Sequence, residues 1–191
     1  MKALKISLVI ALILSACKPC EHIVHNRGSL STELLNMIPY EQDRYISFKH
    51  SNGLIISYFV KTKIEQERMC EDHFCCEELL FEQYTATLMP DYPVFAFNFQ
   101  INNADTSHYP IWVSIGKYGF TIPDQSDPFS IDVADSVLIN GILYRDVYRL
   151  KYQDNIWNED DILSVDSLMY NRKIGILKVV MANGEYYLRD E

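Results

Sequence analysis

The chain has 191 residues, 48% of them hydrophobic and 23% charged, with a formal net charge of −9. That length suits one domain, and the composition excludes long disorder, collagen-like repeats and a polytopic membrane protein. The acidic balance argues against a nucleic-acid partner, because phosphates need cationic side chains to neutralise them.

The N-terminus pairs Lys2 and Lys5 with an apolar run from Ile6 to Leu14. This run is shorter than the roughly 20 residues that a permanent membrane span requires, so residues 1–16 are expected to form a secretory signal peptide. The run ends in Leu14-Ser15-Ala16-Cys17. This sequence resembles the lipobox of bacterial lipoproteins, a Leu followed by two small residues and a Cys. The resemblance implies cleavage before Cys17, acylation of its thiol and amino group, and attachment to a membrane through this lipid anchor. Each buried CH₂ of an acyl chain contributes about 0.8 kcal/mol, so more than one chain anchors stably. Residue 18 is Lys rather than the Asp that favours inner-membrane retention in that family, which points to the outer membrane of a bacterial cell envelope.

Residues 17–30, with Pro19 and Gly28, are expected to form a tether ahead of a single β-rich domain over 31–191. Ser31 to Ile38 reads as one short helix, with Ser31 as N-cap, Glu33 in the first turn and Pro39 as its stop. Its buried face would be Leu34, Leu35 and Ile38. Period-two patterns then dominate. Tyr45–His50 and Leu54–Lys63 flank the turn Ser51-Asn52-Gly53, and Leu79–Met89 follows. Val94–Ile101 alternates most clearly, with Phe95, Phe97, Phe99 and Ile101 facing one way and Asn98 and Gln100 the other. Ile111–Ile115 turns at Lys117-Tyr118-Gly119 into Phe120 and Ile122. Val137–Ile139 turns at Asn140-Gly141 into Ile142–Tyr152, since Asn-Gly favours the positive φ of a tight hairpin. Val165–Asn171, Ile174–Ala182 and Tyr186–Leu188 complete the series. The pattern predicts an all-β, antiparallel sandwich or incomplete barrel. The segment Asn140-Gly141-Ile142-Leu143-Tyr144-Arg145-Asp146-Val147 and the later Tyr170-to-Lys178 strand with its Asn183-Gly184 turn are similar to small uncharacterised lipoproteins of the Bacteroidota. That similarity implies a lipid-anchored β domain and no particular activity.

Four cysteines accompany Cys17: Cys20, Cys70, Cys75 and Cys76. An even number in an exported chain predicts disulfides, with Cys75 and Cys76 taking different partners among Cys20 and Cys70. A bridge from Cys20, closing about 50 residues, would contribute about 3–4 kcal/mol in the chain-entropy model. The alternative is a metal site, since Cys70, His73, Cys75 and Cys76, joined by Cys20, His22 and His25, are zinc-type ligands. The spacing C-x₄-C-C does not match the usual zinc pattern, and no metal or cofactor is assigned. The acidic runs over 65–82 and 154–166 lack EF-hand spacing and read as solvated loops.

No catalytic residue stands out. Trp112-Val113-Ser114-Ile115-Gly116 has half of a nucleophile elbow but lacks its first Gly and a following helix. Tyr144, Tyr148 and Tyr152 would share one face of a regular strand and form an aromatic stripe suited to a sugar or a protein partner. The expected function is a non-catalytic binding or scaffold domain of the cell envelope, with an envelope protein or a glycan as partner. The alternatives are an envelope hydrolase with an unrecognised site and a metal-binding protein built on the Cys70–Cys76 cluster.

Overall fold

A computed structural model describes residues 21–71, 76–104, 111–122, 133–152 and 164–190. The expected signal peptide and Cys17, Cys20 and Cys75 lie outside the described residues. The expected all-β class holds: the molecule is a curled, half-barrel sheet, antiparallel over eleven strands.

The strands, in chain order, are β1 (Ile23–Asn26), β2 (Tyr45–His50), β3 (Ile55–Cys70), β4 (Glu77–Pro90), β5 (Phe97–Asn102) and β6 (Ile111–Ile115). They continue as β7 (Tyr118–Ile122), β8 (Val133–Ile139), β9 (Ile142–Lys151), β10 (Val165–Asn171), β11 (Gly175–Met181) and β12 (Tyr186–Asp190). Across the sheet the order is β7-β6-β5-β4-β3-β2-β12-β11-β10-β9-β8. Most neighbours in space are neighbours in sequence, as expected when short turns join antiparallel strands. The exception to the chain-order meander is the junction of β2 with β12, which brings the two ends of the domain together. The sheet curls until β7 approaches β9, where the rings of Tyr118 and Tyr152 meet edge to face at 5.0 Å.

Alternation decides which side is filled. Phe48, Ile56, Tyr58, Val60, Leu88, Phe97, Phe99, Ile101, Ile111, Val113 and Ile115 all point into one buried cluster. Burying a large apolar side chain contributes about 1.5–3 kcal/mol, so this face carries the stability of the fold. The inside of the half-barrel is therefore packed with side chains.

The one helix among the described residues is α1 (Thr32–Leu35). Its N-cap is Ser31, as the sequence predicts: the Leu34 N–H donates to Ser31 Oγ at 3.3 Å. Leu34 and Ile38 are buried in the main cluster, and Leu35 packs partly against it. Three tyrosines strap this segment to the barrel. The Ile176 N–H donates to Tyr40 Oη (2.8 Å), Tyr170 Oη donates to the Met37 carbonyl (3.0 Å), and Tyr84 Oη donates to the Tyr40 carbonyl (3.2 Å). Gly175, at φ +95°, leaves the space that the Tyr40 ring occupies.

Two expectations are corrected. The tether over 17–30 does not extend to its predicted end, because β1 lies within it and pairs in parallel with β4, from Ile23↔Glu77 to Asn26↔Leu80. Leu30 reaches the buried cluster. The acidic stretch over 65–82 is strand along much of its length, since β3 and β4 pair continuously from Tyr58↔Pro90 to Cys70↔Glu78.

Candidate functional site

The alternation that packs the inside also builds the opposite face of β4–β7. Register sets Gln83, Thr85 and Thr87 of β4 beside Asn102, Gln100 and Asn98 of β5. On the next strand, Asn98 pairs with Ser114 and Gln100 with Trp112, and Ser114 pairs in turn with Gly119 of β7. Of these, Gln83, Thr85, Asn98, Gln100, Trp112, Ser114 and Gly119 line a groove of about 440 Å³. Trp112 is 52% exposed, a large aromatic surface left open to solvent. Thr87 Oγ1 donates to Asn98 Oδ1 at 2.9 Å, which fixes that amide with its nitrogen as the remaining donor. Gly119 supplies no side chain, and a Cβ there would meet nothing within 4 Å.

The chemistry of the groove is uniform. Amides offer both donors and acceptors, hydroxyls offer both, and an indole offers a flat apolar face. Among the described residues, no Asp, Glu, Lys, Arg, His or Cys lines it. Ser114, the residue of the half-elbow, sits in this groove, and none of the described side chains that line it is a general base.

A second group of side chains gathers at the far end of the β3–β4 hairpin, where the sequence placed its cysteine cluster. Cys70 closes β3 and Cys76 precedes β4, and between them the Glu71 N–H donates to the Glu77 carbonyl at 2.8 Å. Neither sulfur belongs to a free thiol. The parallel strand β1 brings the two predicted histidines here. His25 Nε2 lies 3.8 Å from Glu71 Oε2 and 3.9 Å from Glu77 Oε2, and His22 Nε2 lies 3.0 Å from Glu78 Oε1. The other Glu78 oxygen faces Arg68 at 3.5 Å. His25, Glu71 and Glu77 can each turn one ligand atom to a common point, but all three are exposed. Among the described residues, the group able to hold a metal is thus one imidazole and two carboxylates; His73, Cys75 and Cys20 of the set the sequence suggests lie outside the described residues.

The aromatic stripe is not formed. Tyr148 is buried in the main cluster with Tyr152 packed against it, whereas Tyr144 joins Val147 and Leu177 in a separate cluster. The cause is Asp146, whose φ of +54° breaks the alternation of β9. Asp adopts this left-handed conformation more readily than most residues, and Asn171 Nδ2 donates to the adjacent Arg145 carbonyl at 2.7 Å. Sequence reasoning passed over the groove because Gln83, Asn98, Trp112 and Gly119 come from four strands, and only the register brings them together. The one available signal was the polar phase of the Val94–Ile101 pattern, opposite the phenylalanines.

Comparison of the chain with protein-family models, with curated proteins and with solved structures finds no match. Among the described residues, no helix is long and apolar enough to cross a membrane.

Proposed function

We propose that this chain is a lipid-anchored protein of the bacterial outer membrane, related to the small lipoproteins of the Bacteroidota, whose β domain is a binding module rather than an enzyme. The observation that carries the reading is the contrast between a filled interior and an open polar groove lined by amides, hydroxyls and one exposed Trp. Such a surface has hydrogen-bonding capacity for recognition, and its described residues include no acid–base or nucleophile–base pair of the kind catalysis needs. The lysines, apolar run and Leu14-Ser15-Ala16-Cys17 sequence support the anchor. The same reading joins Cys70 and Cys76 in one bridge across the tip of the β3–β4 hairpin, supported by their closeness in register and by the absence of a free thiol at either.

The test is fractionation. Wild-type protein is expected in the membrane fraction, and Cys17→Ala is expected to move it to the soluble fraction; membrane retention of the variant would sink the anchor. The intact mass of the same material, short by two hydrogens for each bridge, checks the cysteine pairing.

A further inference from the structure

The groove on β4–β7 has a chemistry that selects among ligands. A charged ligand entering it would lose hydration without gaining a counter-ion from the described lining residues, none of which is ionisable. A purely apolar ligand would strip water from Gln83, Asn98 and Gln100 and leave their amides unsatisfied. The ligand that fits both constraints is uncharged, carries donors and acceptors close together, and has one flat face of C–H groups to lay on an indole. We infer that the groove binds a neutral glycan, with a pyranose ring stacked on Trp112 and its hydroxyls held by Gln83, Asn98, Gln100 and Ser114. This inference rests on the binding-module reading above and names the partner for it.

Three features of the geometry support that assignment. Trp112 and Gln100 are directly opposite on adjacent strands, so the stacking surface and an amide lie side by side. Trp is a rigid anchor that loses little conformational freedom on contact. Its exposed ring stands on the interior of the sheet, between β5 and β7, where the backbone is held on both sides. Finally, Gly119 on the neighbouring strand keeps the floor of the groove open beside Trp112, and a Cβ added there would meet nothing within 4 Å. A strand position without strain or close neighbours gains β-propensity from a β-branched residue, so glycine at this place has no structural requirement behind it.

The experiment uses the full chain, extracted from membranes in a zwitterionic detergent that contains no sugar. It is applied to an array of neutral polysaccharides (glucans, mannans, xylans, galactans and fructans), with polygalacturonate and sulfated glycans as charged controls. The strongest neutral binder is then titrated as an oligosaccharide. Retention of at least one neutral glycan and of no charged one is expected. Trp112→Ala is expected to weaken binding by about tenfold or more, as loss of a stacked aromatic anchor does. Trp112→Phe should retain part of the affinity, and Gly119→Val should abolish binding by filling the groove while thermal stability is unchanged. The inference is overturned if no neutral glycan is retained, if the charged controls bind as well, or if Trp112→Ala and Gly119→Val both bind like wild type. The recovered oligosaccharide is also sized after prolonged incubation. An intact ligand supports both readings, whereas a shortened one overturns the non-catalytic reading and leaves glycan recognition standing.

Discussion

The two faces of the same strands have different work. On β5, Phe97, Phe99 and Ile101 are fully buried, while Asn98, Gln100 and Asn102 on the other side stay partly open to solvent. On β6, Ile111, Val113 and Ile115 are buried, and Trp112 stands exposed between them. One face holds the sheet in its curl and the other offers a surface for a partner. The comparison teaches that a strand of alternating period can separate stability from recognition residue by residue, so that neighbours in sequence answer to different constraints.

This separation is open to direct attack. A large effect is expected inside, at Gly175→Ala. The new methyl would occupy the place of the Tyr40 ring, at a φ of +95° that L-residues rarely adopt. A loss of about 3 kcal/mol or more is expected in chemical denaturation, from combined overpacking and backbone strain. A loss below about 1 kcal/mol would show that the α1 strap yields easily.

A paired substitution on one strand sharpens the contrast. Phe99→Ala is expected to cost about 3–5 kcal/mol, because the ring packs against Tyr40 at 4.7 Å and its removal leaves a cavity. Its neighbour Gln100→Ala should change stability by no more than about 0.5 kcal/mol. Comparable losses at both positions would contradict the division between the faces.

The smallest effect at neutral pH, and one confined to the inside, is the response to alkali. Burial raises the phenols of Tyr40, Tyr58 and Tyr170 above their ordinary value of 10.0. The Tyr58 hydroxyl is buried with no hydrogen-bond partner among the described residues. Above pH ~10 the unfolded chain releases these protons while the folded chain keeps them, so unfolding gains on folding. Stability should therefore be flat with respect to these groups below pH ~10 and fall as pH rises beyond it. Tyr40→Phe should make the alkaline limb shallower even as it lowers stability at neutral pH. An unchanged slope would mean that Tyr40 ionises within the fold as it does in water.

Much of the fold was legible before the structure. Alternation placed β2, β6 and β10 with the residues they occupy, and Ser31 was recognisable as a cap from its side-chain chemistry alone. Asn140 and Gly141 both adopt the positive φ that their hairpin requires. The functional face was much less legible. A polar residue on an exposed strand face carries no information about which strand lies beside it.

The pattern readable along the chain was local: which residues alternate, where turns fall, where the helix starts, and which side of each strand seeks burial. Backbone geometry and the hydrophobic effect act on near neighbours and leave a pattern that can be read along the chain. The rest came from contacts between distant segments. The parallel pairing of β1 with β4 joins segments about 50 residues apart. The left-handed Asp146 sends Tyr144 and Tyr148 into different clusters. The groove exists because four strands stand in register, which sets Gln83, Gln100, Trp112 and Gly119 on one surface. Each of these depends on pairing between distant segments, and that pairing is chosen by the free energy of the whole sheet rather than by any one stretch of it.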